Sequence, residues 1–576
     1  MKTTFFTLLL SLLVGAVLAK PNIVVVMPDD MGYGDLGTTG NPVIRTPNLD
    51  RLSKEGAELT SFYVSPVCSP TRASLVTGRY HHRTRVIDTF KGRSMMEPDE
   101  YTVAEALRDA GYATGIFGKW HLGDNYPMRP QDQGFDEVLV HRGGGLAQPS
   151  EPIENEGSYT DPILFRNGER VKTEGYCTDV YFDAAIEFME ESREAGKPFF
   201  VYLPPNAPHG PYDDVPEDLL EHYQSVDLTP VLNGNESENH RDRVARVFAM
   251  VENIDQNMGK LDAYLEESGQ REDTLVIFFT DNGPNSPRYV GPFRGNKGGV
   301  HEGGIRTVFY ARWPARLDAA ASSDRIAAHI DVMPTLLDVA GAERPEGAPA
   351  PDGRSVLPLL EGRADDWPDR KLFFHAHRGD EPQLFRHFAV RTPDWKLVRA
   401  TGFGNRKESY DTPFELYRID EDPGESNDLA EERPEKLAEL KEANREWLED
   451  VSSTREDNYA PPRIVVGADA ETRTDLSIQD WRVGDQRGWG DRGKWLVDVV
   501  DAGPYGAEVR WDEPIGEREV TLRVGDVAFD GKLAEGATRV SFPSVELPTG
   551  EVAVSVDISG EIDRGQVPRF VTLERE

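Results

Sequence analysis

Short apolar runs alternate with helix-spaced apolar positions through the first half of the chain. Ile23-Val24-Val25-Val26 marks Asn22–Met27 as a short buried strand, and Ala113–Phe117, Phe199–Leu203 and Leu275–Thr280 read the same way. Between them, Thr102–Ala110 reads as a helix ended by Gly111, and Val180–Ala195 as a second helix. Arg246–Ser268 is a long amphipathic helix with Val247, Met250, Val251, Ile254, Met258, Leu261 and Leu265 on one face. Continuous apolar strands separated by helices predict an α/β fold, a mostly parallel central sheet sandwiched by helices.

Near Arg370 the pattern changes. Phe388–Arg391, Trp395–Ala400 and Phe414–Ile419 read as strands of a small antiparallel sheet, and Pro434–Asp450 as a helix with Leu437, Leu440 and Trp447 on its apolar side. Val451–Arg463, polar and carrying Pro461-Pro462, reads as a linker. Beyond Ile464 only short alternating segments remain: Lys494–Val500, Ala507–Trp511, Val520–Val524, Thr538–Phe542 and Val552–Ile558. With turn residues between them they predict a β-sandwich. The expected organisation is a signal peptide over 1–19, a catalytic α/β domain over 20–370, a small α+β subdomain over 371–455 and an accessory sandwich over 464–576. Trp481, Trp489, Trp495 and Trp511 of the last segment offer either a sugar-stacking surface or ordinary core packing.

Composition narrows the function. The 576 residues exceed one ordinary core, and 38% hydrophobic content supports a sizeable one. Acidic residues number 101 against 64 basic, a net charge of −37 spread along the chain, which excludes nucleic acid as a natural partner. The same acidity repels a polyanionic substrate at low ionic strength; salt relieves that repulsion. Met1-Lys2, the apolar run Phe5–Leu18 and Val17-Leu18-Ala19 before Lys20 have the form of a cleavable export signal, too short for a membrane span. The expected location is secreted or periplasmic. Only two cysteines exist, Cys68 and Cys177, and cysteine count alone allows one disulfide between them.

Polar motifs follow each predicted strand. Asp29-Asp30 comes after the first, Lys119 and His121 after the second, His209 after the third, Asp281-Asn282 after the fourth. Ligands in open α/β sheets bind beyond the carboxyl ends of the strands, so these motifs converge by topology. Adjacent aspartates in a glycine-rich turn, or Asp-Asn-Gly, are ordinarily turn formers. Placed together, Asp29, Asp30, Asp281 and Asn282 form a hard oxygen set that suits Ca²⁺, suits Mg²⁺ less well and disfavours zinc.

Six motifs in order carry a family resemblance: Pro28-Asp29-Asp30-Met31-Gly32-Tyr33-Gly34-Asp35, Cys68-Ser69-Pro70-Thr71-Arg72 with Leu75, Thr77, Gly78 and Arg79, Gly118-Lys119-Trp120-His121-Leu122-Gly123, Pro208-His209-Gly210-Pro211, Thr280-Asp281-Asn282-Gly283, and Lys297 with Glu302-Gly303-Gly304. Over roughly Pro21 to Asp450 the chain resembles the type I sulfatases of the alkaline phosphatase superfamily, arylsulfatase A-like. The resemblance implies that a maturation enzyme oxidises Cys68 to formylglycine, whose hydrate attacks sulfur with one hydroxyl and expels sulfate with the other. It implies that Asp29, Asp30, Asp281 and Asn282, with modified Cys68, hold one divalent ion. It further implies that Arg72 stays beside the hydrate, that Lys119 and Lys297 bind sulfate oxygens, that His209 protonates the leaving alcohol and that His121 assists the hydrate. His141 and Arg142 lie where such enzymes reach their substrates, and Glu302-Gly303-Gly304 and Arg306 are read as structural.

The expected activity is hydrolysis of a sulfate monoester, of a sulfated carbohydrate or an aryl sulfate. Two alternatives stand beside it: a phosphatase or phosphonate monoester hydrolase on the same scaffold, and a non-catalytic binder of sulfated glycans.

Overall fold

The computed structural model describes residues 20–576 apart from 366, 405–410, 484–491 and 564. The segment read as a signal peptide, and Trp489, lie outside the described residues. A ten-stranded sheet forms the centre. Its innermost strand, Asn22–Val26, pairs in parallel with Phe199–Leu203 on one side and Thr274–Phe279 on the other. Ala113–Lys119 and then Glu137–His141 continue the parallel set, and antiparallel strands such as Phe309–Arg312 and Ile163–Arg166 extend both edges. The five parallel strands require cover on both faces. Ile23 and Val25 enter one core with the helices Val103–Asp109 and Val332–Ala340, while Val24 and Val26 enter the other with Cys177–Glu194 and Glu238–Glu267. The strand's period of two thus feeds two cores from one run of valines.

The small antiparallel sheet has four strands, Leu372–His375, Phe388–Arg391, Trp395–Arg399 and Glu415–Arg418, with the helix Pro434–Val451 against it. Residues 452–463 are not a free tether. Arg455 pairs with Asp99 and Glu100, and the Asn458 amide donates to the carbonyls of His82 and Val451.

Beyond them two sheets face each other, one of five strands and one of four. Their shared core contains Trp481, Trp495 and Trp511, each no more than 2% exposed, together with Met95 and Met128 from the α/β part. These three indoles serve packing, which removes them as a sugar-stacking surface. Both cysteines are free and buried, so the disulfide alternative is not realised.

Candidate active site

The motifs at the strand ends do meet. Asp29 and Asp30 follow the innermost strand, and Asp30 sits at φ 65°, in the left-handed region, where its backbone N–H donates to Asp281 Oδ1 at 3.1 Å. A non-glycine residue held there stores strain of a kind that collects at functional sites. Lys119 ends its own strand, where its register partner is His141. Cys68 opens the helix Cys68–Thr77, whose ten residues are all buried. A side chain in that first turn lies at the positive end of the helix dipole.

Three cations stand against three carboxylates. Lys119 Nζ donates to Asp29 Oδ2 at 2.5 Å, Arg72 Nη2 to Asp281 Oδ2 at 2.8 Å, and Lys297 Nζ to Asp30 Oδ1. Arg72 also donates to the Lys119 carbonyl at 2.7 Å and lies 4.0 Å from Asp29. Asn282 turns its amide nitrogen to Asp30 Oδ1 at 2.8 Å, which leaves its oxygen outward.

The donors fit a hard divalent cation. Asp29 Oδ1, Asp30 Oδ2 and Asn282 Oδ1 are buried with no hydrogen-bond partner. Each such atom costs about 1–3 kcal/mol when left unpaired, more when charged, and three together point to a missing positive partner. Ligating atoms of Asp29, Cys68 and Asp281 lie within 4.8 Å of one another. Electrostatics agree. Burial opposes ionisation of Asp29, but Lys119, His209, Lys297 and Arg72 together hold it well below the usual carboxylate range. Burial first, and then the Asp29 charge, push Asp281 up to about 7 against the pull of Arg72 and Lys119, so a cation placed between the two carboxylates relieves their repulsion.

The histidines differ in role. His209 Nδ1 donates to the Gly210 carbonyl at 2.7 Å, so its Nε2, 3.8 Å from Asp30 Oδ2, faces the cluster from the partly exposed side. Tyr159 steadies that turn: its hydroxyl donates to the His209 carbonyl at 2.6 Å and accepts from the Asn206 amide. His121, also in the left-handed region at φ 61°, has Nε2 2.8 Å from the Thr89 carbonyl and Nδ1 buried without a partner. Burial, then the Lys119 charge, keep this ring well below its ordinary pKa and therefore neutral. His141 is likewise neutral: burial lowers it to about 3, and Nδ1 bonds the Arg142 carbonyl at 3.0 Å.

Arg142 does not join the others. Its guanidinium lies 4.0 Å over the Phe165 ring and 3.4 Å from Asp475 of the C-terminal sheets. The neighbouring glycines do the contacting instead. A Cβ on Gly144 would come within 2.6 Å of the His121 ring, and one on Gly145 within 2.9 Å of His209 Nδ1. Backbone without side chains is what fits against both rings. Glu302-Gly303-Gly304 is structural as expected: Glu302 accepts from buried Lys396 at 2.9 Å, and a Cβ on Gly283 would meet the Gly303 carbonyl at 2.1 Å.

The Sulfatase family model matches residues 21–342, and the model for N-sulphoglucosamine sulphohydrolase, C-terminal, matches residues 295–453. The chain belongs to the sulfatase family. It is a sulfuric ester hydrolase. N-acetylgalactosamine-6-sulfatase of Canis lupus familiaris is 32% identical over 451 residues, 70% of this sulfatase and 81% of that protein. Arylsulfatase A of Homo sapiens is 32% identical over 479 residues, 76% of this chain and 89% of that one. The structure of Ps i-CgsB in complex with k-i-k-neocarrahexaose superposes with a TM-score of 0.66 at 26% identity, covering 77% of this sulfatase and 95% of that chain. Neither family model extends past residue 453.

Several residues at the site carry no motif. Asn206 and Tyr159 are ordinary polar residues of loops, and Thr89 contributes only a carbonyl. Gln479 sits 390 positions from the Thr89 carbonyl that it contacts.

Proposed function

We propose that this sulfatase hydrolyses the sulfate monoester of a sulfated carbohydrate, with Cys68 oxidised to formylglycine and one Ca²⁺ held by Asp29, Asp30, Asp281, Asn282 and the modified Cys68. The observation that carries the ion is the trio of partnerless buried oxygens on Asp29, Asp30 and Asn282. A carbohydrate substrate is supported by the relatives, among them an N-acetylgalactosamine-6-sulfatase and a chain solved with a neocarrahexaose. The export signal read at residues 1–19 supports action outside the cytoplasm, where such polymers lie, and no helix among the described residues is long and apolar enough to cross a membrane.

A cysteine thiolate is a poor account of the site. Burial pushes the Cys68 thiol up, against the pull of Lys119 and Lys297, so the unmodified side chain stays neutral and weakly nucleophilic. When present, formylglycine supplies a hydrated aldehyde as nucleophile, and the calcium ion supplies a Lewis acid for a sulfate oxygen. The chain's own residues do the rest. Arg72, anchored on Asp281 and on the Lys119 carbonyl, fixes the carboxylates around Cys68. Lys119 and Lys297 oppose negative charge on the sulfate oxygens. His121 presents its unprotonated Nδ1 as a proton acceptor. His209, its Nδ1–H held by the Gly210 carbonyl, gives a proton to the leaving oxygen from Nε2 as the imidazolium, a form that burial opposes and the Asp29 and Asp30 charges support.

The test has two arms. Mass spectrometry of the Cys68 peptide from enzyme made with its maturation partner should find the aldehyde or its hydrate, and sulfate monoesters should be cleaved faster than matched phosphate monoesters. An unmodified thiol, or a preference for phosphate, would overturn this reading.

His209→Ala should separate substrates by leaving group. An alkyl sulfate, which needs a proton on the departing alcohol, should lose about 10²- to 10⁴-fold in kcat, whereas an aryl sulfate that leaves as phenolate should lose far less. Equal losses on both would remove the general-acid role.

A further inference from the structure

We infer that the C-terminal sheets complete the active site, with Gln479 acting as a positioning residue for His121. Gln479 lies between the strands Arg473–Ser477 and Trp495–Val499 and is 1% exposed. Its backbone is tied at both groups: the N–H donates to Ser477 Oγ at 3.2 Å and the carbonyl accepts from the Gly92 N–H at 3.0 Å. Its side-chain Nε2 donates to the Thr89 carbonyl at 3.0 Å, the same oxygen that lies 2.8 Å from His121 Nε2. The two nitrogens are 3.4 Å apart, side by side before one acceptor.

The arrangement selects a tautomer. A carbonyl has two lone pairs and no hydrogen, so it takes two donors and cannot donate. At 2.8 Å His121 Nε2 must therefore carry the hydrogen, and the lone pair sits on Nδ1, the atom left without a protein partner. Gln479 fills the second lone pair of Thr89 and holds that carbonyl on the ring. Gly144 also packs close to the ring, where a Cβ would come within 2.6 Å of His121 Cε1. The Thr89 segment is itself gripped between two parts of the chain: Arg378 bonds Asp88 and Thr89 Oγ1, Arg482 bonds the Gly92 carbonyl, and Arg93 and Arg482 share Asp380.

The wider contact fits this role. Ser477 Oγ lies 2.8 Å from Ser150 Oγ, and Arg569 donates to the carbonyls of Gln148, Pro149 and Glu151. The C-terminal sheets thus brace the same Gly143–Gly145 loop that packs against both catalytic histidines. A module that carries a residue to a catalytic ring is part of the catalytic unit and not a tethered accessory.

The inference rests on the sulfatase reading for its kinetic arm, and a second readout stands free of it. Gln479→Met keeps the volume and removes the amide. In full-length, matured enzyme it should lower kcat on an aryl sulfate about 10-fold with little change in KM, within the range typical of residues that orient a reacting group. Glu471→Gln is the control for docking alone: Glu471 joins the sheets to Tyr126 and Arg129, away from His121, and should leave kcat unchanged. Imidazole nitrogen spectra of ¹⁵N-histidine protein, with His121 assigned by its loss in His121→Gln, should report the Nε2–H form in the parent and a mixture of tautomers in Gln479→Met. The inference falls if Gln479→Met keeps both kcat and the parent spectrum, or if Glu471→Gln loses as much activity as Gln479→Met. Should the matured parent cleave no sulfate ester, the functional reading fails, while the nitrogen spectra still decide the role of Gln479.

Discussion

Turnover of any sulfate ester is expected to fall by at least about 10⁴-fold in Cys68→Ala, the usual scale for deleting a nucleophile that other residues cannot replace. The fold should survive. Cys68 is the first residue of a helix buried on every side, alanine is the best helix former, and one lost heavy atom costs about 1 kcal/mol in a packed site. Cys68→Ser sharpens the test. A serine has one hydroxyl, so after attacking sulfur it has no second hydroxyl with which to expel sulfate. It should stop after one turnover and gain the mass of a sulfo group. Steady-state rates, melting temperature and intact mass on the same preparations check all three expectations. Residual turnover in Cys68→Ala beyond a thousandth of the parent rate would remove Cys68 as nucleophile.

What the sequence shows of this site follows from what leaves a local pattern. The central strands are legible because Ile23-Val24-Val25-Val26 supplies both cores at once, and a run apolar on both faces has few other uses. The residues proposed to hold the ion are legible because each motif directly follows such a strand, so topology brings Asp29, Asp30, Asp281 and Asn282 together before any contact is known. The helix that carries Cys68 is different. All ten residues are buried, serines, threonines and Arg72 included, so no polar face gives it a period. The long helix starts at Glu238, ahead of the expected Arg246: its first turn is polar, and His240, Val244 and Ala245, all buried, are too few before Arg246 to show a period. Strands such as Val527–Leu533 are missed for a related reason: at a sheet edge, with most side chains outward, alternation fades.

Side-chain direction is the part no motif contains. Arg142 follows His141 in a glycine-rich stretch, yet the pleat sends its guanidinium to Phe165 and Asp475, while the glycines after it meet the histidines. Gln479 is the extreme case. Its role depends on two sheets docking against loops 390 positions earlier, and a single amide in a turn between strands looks like any surface polar residue. Trp481, Trp495 and Trp511 err the other way: indoles that suit a sugar surface are spent on the core beneath it.

Asp281→Asn is expected to cost the enzyme its ion. Asp29, Asp30 and Asp281 balance Arg72, Lys119 and Lys297 charge for charge, so removing one carboxylate leaves the cluster positive before any cation arrives. The neutral amide can still accept one of the two hydrogen bonds that Asp281 takes, from Arg72 or from the Asp30 N–H, so the fold loses little. Asp281→Ala accepts neither and takes from the buried Arg72 its nearest carboxylate, leaving the Lys119 carbonyl and Asp29 at 4.0 Å; breaking a buried pair costs about 3–5 kcal/mol. The two substitutions thus separate ligand from strut. Calcium binding should weaken about 10²- to 10³-fold in Asp281→Asn, the span over which ligand charge commonly tunes such sites. A bound ion at 100 times its dissociation constant stabilises the folded chain by about 2.7 kcal/mol. A chelator should therefore lower the melting temperature of the parent and leave that of Asp281→Asn unmoved, with elemental analysis following the same division. A variant whose melting temperature still responds to the chelator keeps its ion, and Asp281 then belongs to the scaffold that holds Arg72 and not to the ligand set.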